Sequence, residues 1–195
     1  MVIPPTFAPF KERLEWLNRD RLEFSETRVH VEETAREGKG VVSFDLTSPC
    51  LRLKVGEKPI AWLAEQRCAD GLILELSNGR LRVHIIELKK IVRAVTWASI
   101  QEQFAGMLRN ALAVIGVAGL PEMFEVVFYT AFTQDEVSAT PDSLMETKFE
   151  VGEAPLAPNS WTATHIDICH VRGAHHKIPR HEVTGPQWNG HTALA

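Results

Sequence analysis

The chain has 195 residues, 45% of them hydrophobic and 24% charged, the balance of a globular protein and not of a disordered or collagenous one. A chain of this length can sustain one core, so a single domain over 1–195 is expected and a second full domain is not. The formal net charge of −4 weighs modestly against a nucleic-acid ligand, whose dedicated binders carry a basic excess, but a carboxylate-rich site whose charge a metal offsets would contribute to it.

In chain order, Phe10, Leu14, Leu17 and Phe24, with Leu22 nearby, recur at helical spacing and predict a first helix over about 9–24. Short alternating runs follow at 28–32, 41–46, 51–55 and 60–64. They are separated by Glu37-Gly38-Lys39-Gly40, Ser48-Pro49 and Gly56-Glu57-Lys58-Pro59, which predicts antiparallel strands. The clearest local signal is an alternating run at 71–76, then Asn78-Gly79, then a second run at 81–88. Asn-Gly favours a two-residue type I′ turn, so the two runs form a hairpin of definite register. Thr96 is a candidate cap for a helix running to about Gly116, whose stripe is Trp97, Ile100, Phe104, Leu108 and Ile115.

The near-continuous apolar run at 124–132 predicts a central strand buried on both faces. Residues 133–160 offer only a weak strand near 148–151, and 162–171 predicts a last strand. The His-, Pro- and Gly-rich stretch over 172–195 has the composition of a disordered tail. The three cysteines, Cys50, Cys68 and Cys169, are far apart with no CxxC pair, which points to a reducing compartment. Met1-Val2-Ile3-Pro4-Pro5 lacks a basic segment followed by an apolar one, and no stretch approaches a membrane span, so a cytoplasmic location is expected.

The hairpin register carries the chemistry. With Asn78 and Gly79 as the loop, Ser77 faces Arg80, Leu76 faces Leu81, and the ladder extended outward puts Asp70 opposite Glu87. The strand period of two sets Lys89 on the face of Glu87, above Leu72, Leu74, Leu76, Leu81, Val83 and Ile85, an apolar surface that a helix should cover. Two opposed carboxylates call for a cation. Lys89 supplies one, and Mg²⁺, which keeps waters and takes few protein ligands, is another. On the opposite face Arg80, Arg82, His84 and Lys90 form a basic row, read as a solvated strand face or a phosphate contact. The C-terminal residues His165, Cys169, His170, His175, His176, His181 and His191 include zinc-ligand types, but their spacing matches no strong site. An HNH-like set of His176, Asn189 and His191 lacks the helix such a motif needs.

Ala69-Asp70 on one strand and Ile85-Ile86-Glu87-Leu88-Lys89-Lys90 on the next, followed by an amphipathic helix, resemble the PD-(D/E)XK nuclease superfamily over about 60–132. The resemblance implies an α/β fold, a restriction-endonuclease-like mixed β-sheet flanked by helices, here with additional N-terminal antiparallel strands. It implies Mg²⁺- or Mn²⁺-dependent hydrolysis of phosphodiester bonds, most often in DNA. Asp70 and Glu87 would be the metal ligands, Lys89 the catalytic cation and Gln101 the supporting glutamine of the following helix. Ala69 replaces the nominal proline, and the family's first-helix acid has three candidates, Glu12, Glu15 and Glu23. An inactive relative that serves as a binding or assembly subunit in a nucleic-acid-processing or defence complex is the alternative expectation. The partners expected are nucleic acid, most often DNA, and a second copy of the chain or a protein-complex partner.

Overall fold

The computed structural model describes residues 3–17, 19–32, 40–54, 67–137, 159–179 and 189–190. The elements are β1 (Leu22–Ser25), β2 (Arg28–Glu32), β3 (Val41–Asp45), β4 (Cys50–Leu53), β5 (Gly71–Ser77), β6 (Arg80–Val92), β7 (Phe124–Asp135), β8 (His165–Ile168), β9 (Val171–Pro179) and β10 (Asn189–Gly190). With them are α1 (Lys11–Leu14), α2 (Ala94–Ala118) and α3 (Asn159–Thr162). A mixed seven-stranded sheet has the order β1-β4-β5-β6-β7-β9-β8, and a three-stranded sheet has the order β10-β3-β2. The β6–β7 and β7–β9 pairs are parallel and the remaining pairs of the large sheet antiparallel. This is an α/β architecture with a mixed sheet.

The pleat sorts the side chains into two cores. Leu72, Leu74, Val83, Ile85, Val126 and Phe128 face α2, whose Trp97, Ile100, Phe104 and Leu108 cover them as the apolar stripe predicts. On the reverse face Ile73, Ile86, Leu88 and Tyr129 meet Val29, Val31, Val42 and Phe44 of the small sheet. The central strand β7 is therefore buried on both sides. The hairpin turn takes positive φ at Asn78 (50°) and Gly79 (73°), and the register runs from Ser77↔Arg80 to Gly71↔Ile86, as expected.

Four expectations are corrected. The first helix breaks into a 3-10 turn (Pro5–Phe10), the four-residue α1 and a second 3-10 turn (Arg19–Arg21). Its last apolar residues, Leu22 and Phe24, are strand residues paired with Leu53 and Leu51. Helix α2 begins at Ala94 with Arg93 as its cap, leaving Thr96 inside the first turn, and ends on left-handed Gly119 (φ 66°). The last strand is not 162–171: it is the hairpin of β8 and β9, turning at Cys169 (φ 50°) and His170 (φ 65°). Residues 172–179, whose composition suggests a disordered tail, thus belong to β9, inserted between β7 and β8. Finally, Arg80, Arg82, His84 and Lys90 do not make a solvated row, because the small sheet covers the middle of that face: Arg80 and Lys90 are exposed, but His84 is fully buried. The runs 60–64 and 148–151, and His181 and His191, lie outside the described residues. No helix among the described residues is long and apolar enough to cross a membrane.

Candidate functional site

The chain leaves the β5–β6 ladder at Gly71↔Ile86, and the next residue, Asp70, turns its carboxylate onto the neighbouring strand. Its Oδ2 accepts a hydrogen bond from the Leu88 backbone N–H at 2.7 Å. This closes the strand edge where the ladder stops and fixes Asp70 beside Glu87. Glu87 is fully buried, and its Oε1 is in ion-pair contact with the Lys89 ammonium. Both Glu87 oxygens are shielded from solvent, and neither carries a well-formed hydrogen bond among the described residues. Burial, and then the Asp70 charge, push the Glu87 carboxyl up to about 8, against the opposing pull of Lys89 and the Asp70 backbone amide. Asp70 is thus close enough for its charge to act on Glu87, and Lys89 contacts Glu87 directly.

Register extends this point across the sheet. Glu87 is paired with Thr130 on β7, and Thr130 with Lys177 on β9. Thr130 is fully buried, and its Oγ1 is 3.0 Å from His175 Nε2. His175 stacks on Trp97 at 5.0 Å. Burial lowers the His175 pKa to about 4, so at neutral pH the ring is an uncharged hydrogen-bonding group. The row Asp70, Glu87, Thr130, Lys177 thus lies toward the carboxyl ends of three parallel strands, where α/β sheets commonly take ligands. The sequence offers His175 only as one of the dispersed C-terminal ligand types; its place beside Thr130 depends on the pairing of β9 with β7, for which the period-two placement of His175 and Lys177 around His176 was the available signal.

Gln101 is half-buried on α2, the helix covering this face. Glu23 is not on a helix: it lies on β1, within 3.4 Å of Arg52 and 3.6 Å of Lys54. Glu12 and Glu15 belong to α1 and its cap, and the neighbouring Arg13 side chain lies against Gly119. That is the far end of a 25-residue helix, about 37 Å from its start, whereas β6 delivers the trio to the near end. Glu23, on the outermost strand β1, is separated from Glu87 by β4 and β5.

Among the described residues no group of three or more His, Cys, Asp or Glu side chains converges on a common point. The C-terminal residues are dispersed. His165 is exposed, Cys169 and His170 form a turn, His175 faces α2, and His176 stacks on Tyr129 across the sheet at 5.5 Å. The set at the trio is two carboxylates, one of them with buried, weakly partnered oxygens. A hard divalent ion that completes its shell with water suits that donor set.

The reverse face holds a second polar cluster. Glu75 is buried, and its Oε1 accepts from the Thr47 backbone N–H and hydroxyl, both at 3.1 Å. Its Oε2 is 3.2 Å from His84 Nε2, and His84 Nδ1 is 3.1 Å from the Tyr129 hydroxyl. Burial raises the Glu75 pKa, but His84, Thr47 and Arg82 outweigh it and the net direction is down; burial dominates at His84 and lowers it. An ionised Glu75 can only accept, so neutral His84 donates from Nε2 and accepts the Tyr129 O–H at Nδ1. A charged residue inside the apolar run 71–76 was its signal in the sequence. An open cleft at the hairpin end, lined by Thr47, Glu75, Ser77, Arg82, Phe124 and Glu125, adjoins this cluster and not the trio.

No protein-family model matches the chain, and neither a curated protein nor a solved structure matches it.

Proposed function

We propose that the chain is a Mg²⁺- or Mn²⁺-dependent nuclease that hydrolyses phosphodiester bonds in DNA, with its mixed sheet arranged as in the PD-(D/E)XK type. The observation that carries this reading is the convergence of Asp70, Glu87 and Lys89 where the β5–β6 ladder ends. Asp70 and Glu87 are the metal ligands in this proposal, and a divalent ion held there would polarise the phosphodiester and lower the pKa of a bound water. Lys89, a quarter exposed on a flexible stem, neutralises Glu87 and is the cation available to orient water or meet developing charge. Gln101 is assigned as the supporting polar group from α2. Three free cysteines suit the cytoplasm, where thiols stay reduced.

Purified protein incubated with plasmid, linear and single-stranded DNA and with RNA, in Mg²⁺ or Mn²⁺, tests the proposal. Metal-dependent cutting is expected, reduced about a hundredfold or more in Asp70→Ala and Lys89→Ala. Wild-type protein that cuts no substrate would sink it. One observation favours a second reading: the Glu87–Lys89 ion pair already neutralises the buried carboxylate, as a binding or assembly subunit without catalysis would require. A protein that cuts nothing, shows the same metal titration heat as Glu87→Ala, and co-purifies as a stable homodimer or with a protein partner would establish that reading instead.

A further inference from the structure

Lys177 is exposed on β9, on the sheet face that α2 covers. It stands in register with Thr130, which stands in register with Glu87. Adjacent strands are spaced about 4.8 Å apart, so the Lys177 and Glu87 backbones are about 10 Å apart. That separation is too large for Lys177 to share the ion of Asp70 and Glu87, and small enough for it to meet the same extended ligand. Its ammonium lies 5.0 Å from the centroid of the Trp161 ring. The ring is fully buried, packs on Trp97 at 5.0 Å, and is anchored by Nε1 donating to Asp135 Oδ2 at 3.1 Å. An ammonium resting on a fixed aromatic face has lost part of its rotamer freedom, yet its donors remain available to an anion. No carboxylate among the described residues is within ion-pair distance of it.

We infer that Lys177 contacts the DNA phosphate adjacent to the one that is cut, with Trp161 holding its ammonium in place; this rests on the nuclease reading above. Lys89, two residues along β6 from Glu87, then serves the reacting phosphate, and Lys177, two strands across the sheet, the strand that carries it. Lys177 is in this account a substrate-positioning residue, and its loss weakens binding without altering the chemical step.

The test compares wild type with Lys177→Gln, Lys177→Arg and the exposed outer-helix control Arg109→Gln. Initial rates on a labelled DNA oligonucleotide in Mg²⁺ are measured from about 50 to about 200 mM salt. The expected result is a KM raised about five- to tenfold in Lys177→Gln with kcat unchanged. The slope of log(1/KM) against log salt should fall by about one, the contribution of one phosphate contact. Lys177→Arg keeps the wild-type slope, and Arg109→Gln matches wild type throughout. An unchanged KM and slope in Lys177→Gln, with cutting intact, overturns the assignment of Lys177 alone. A fall in kcat at constant KM also overturns it, since that signature belongs to the chemical step. Wild-type protein that neither cuts nor binds the oligonucleotide overturns the nuclease reading and this assignment together.

Discussion

Glu87 makes folding stability depend on pH in a direction opposite to that of most carboxylates. Its folded-state pKa is raised from 4.5 to about 8, chiefly by burial and secondarily by Asp70. Between those two values the native protein holds a proton that the unfolded chain has released, so unfolding is progressively favoured as pH rises through the window. Each pH unit corresponds to about 1.4 kcal/mol, which sets a ceiling of about 5 kcal/mol on the whole effect. The perturbation is Glu87→Gln, which keeps the shape, removes the ionisation and frees the partly exposed Lys89 to turn toward water. Urea unfolding at pH 5, 6, 7, 8 and 9, in chelator so that no metal competes with the proton, gives the two stability profiles. Wild type should lose about 2–4 kcal/mol relative to the variant between pH 5 and pH 9. Profiles that run parallel over this range would refute the claim that burial and Asp70 outweigh Lys89 at the Glu87 carboxyl.

Other consequences follow from packing. Tyr129→Phe removes the hydroxyl beside His84 Nδ1 and leaves a buried acceptor without a donor, so the urea midpoint should fall by the equivalent of about 1–3 kcal/mol. A Cβ on Gly173 would lie 2.6 Å from the Phe128 ring and 2.7 Å from the Val126 carbonyl oxygen; Gly173→Ala should therefore destabilise by about 1–3 kcal/mol in the same assay. Gly116→Ala meets nothing within 4 Å inside α2 and should stabilise by about 0.5–1 kcal/mol.

What could be read from the sequence was whatever short-range physics decides. Asn78-Gly79 dictates its own turn, and the turn fixes the register that brings Asp70 to Glu87. The stripe of α2 and the doubly buried run of β7 are likewise written in their own residues. The misreadings arose where a distant partner decides. Leu22 and Phe24 continue a helical spacing, but β4 offers them strand partners at Leu53 and Leu51. His84 sits among basic residues in the sequence, and only the small sheet lying over that face makes it a buried link between Glu75 and Tyr129. The β8–β9 turn was missed because Cys169 and His170 take the positive φ usually given to Asn and Gly. With that turn went β9, and with β9 went Thr130's hydrogen-bond partner and Lys177.

The insertion of β9 between β7 and β8 governs how the molecule can be built during synthesis. Thr130 and His175 are 45 positions apart, so the half of the sheet that frames the trio depends on pairings of long sequence separation. Such pairings form slowly, because loop-closure entropy is lost before the contact is gained. A nascent chain can assemble the β5–β6 hairpin and lay α2 upon it while β7 waits with an open edge. The Asp70–Glu87 point would then be formed early and left unframed until residue 179 has cleared the ribosome, and that interval is when the exposed edge of β7 is open to wrong partners.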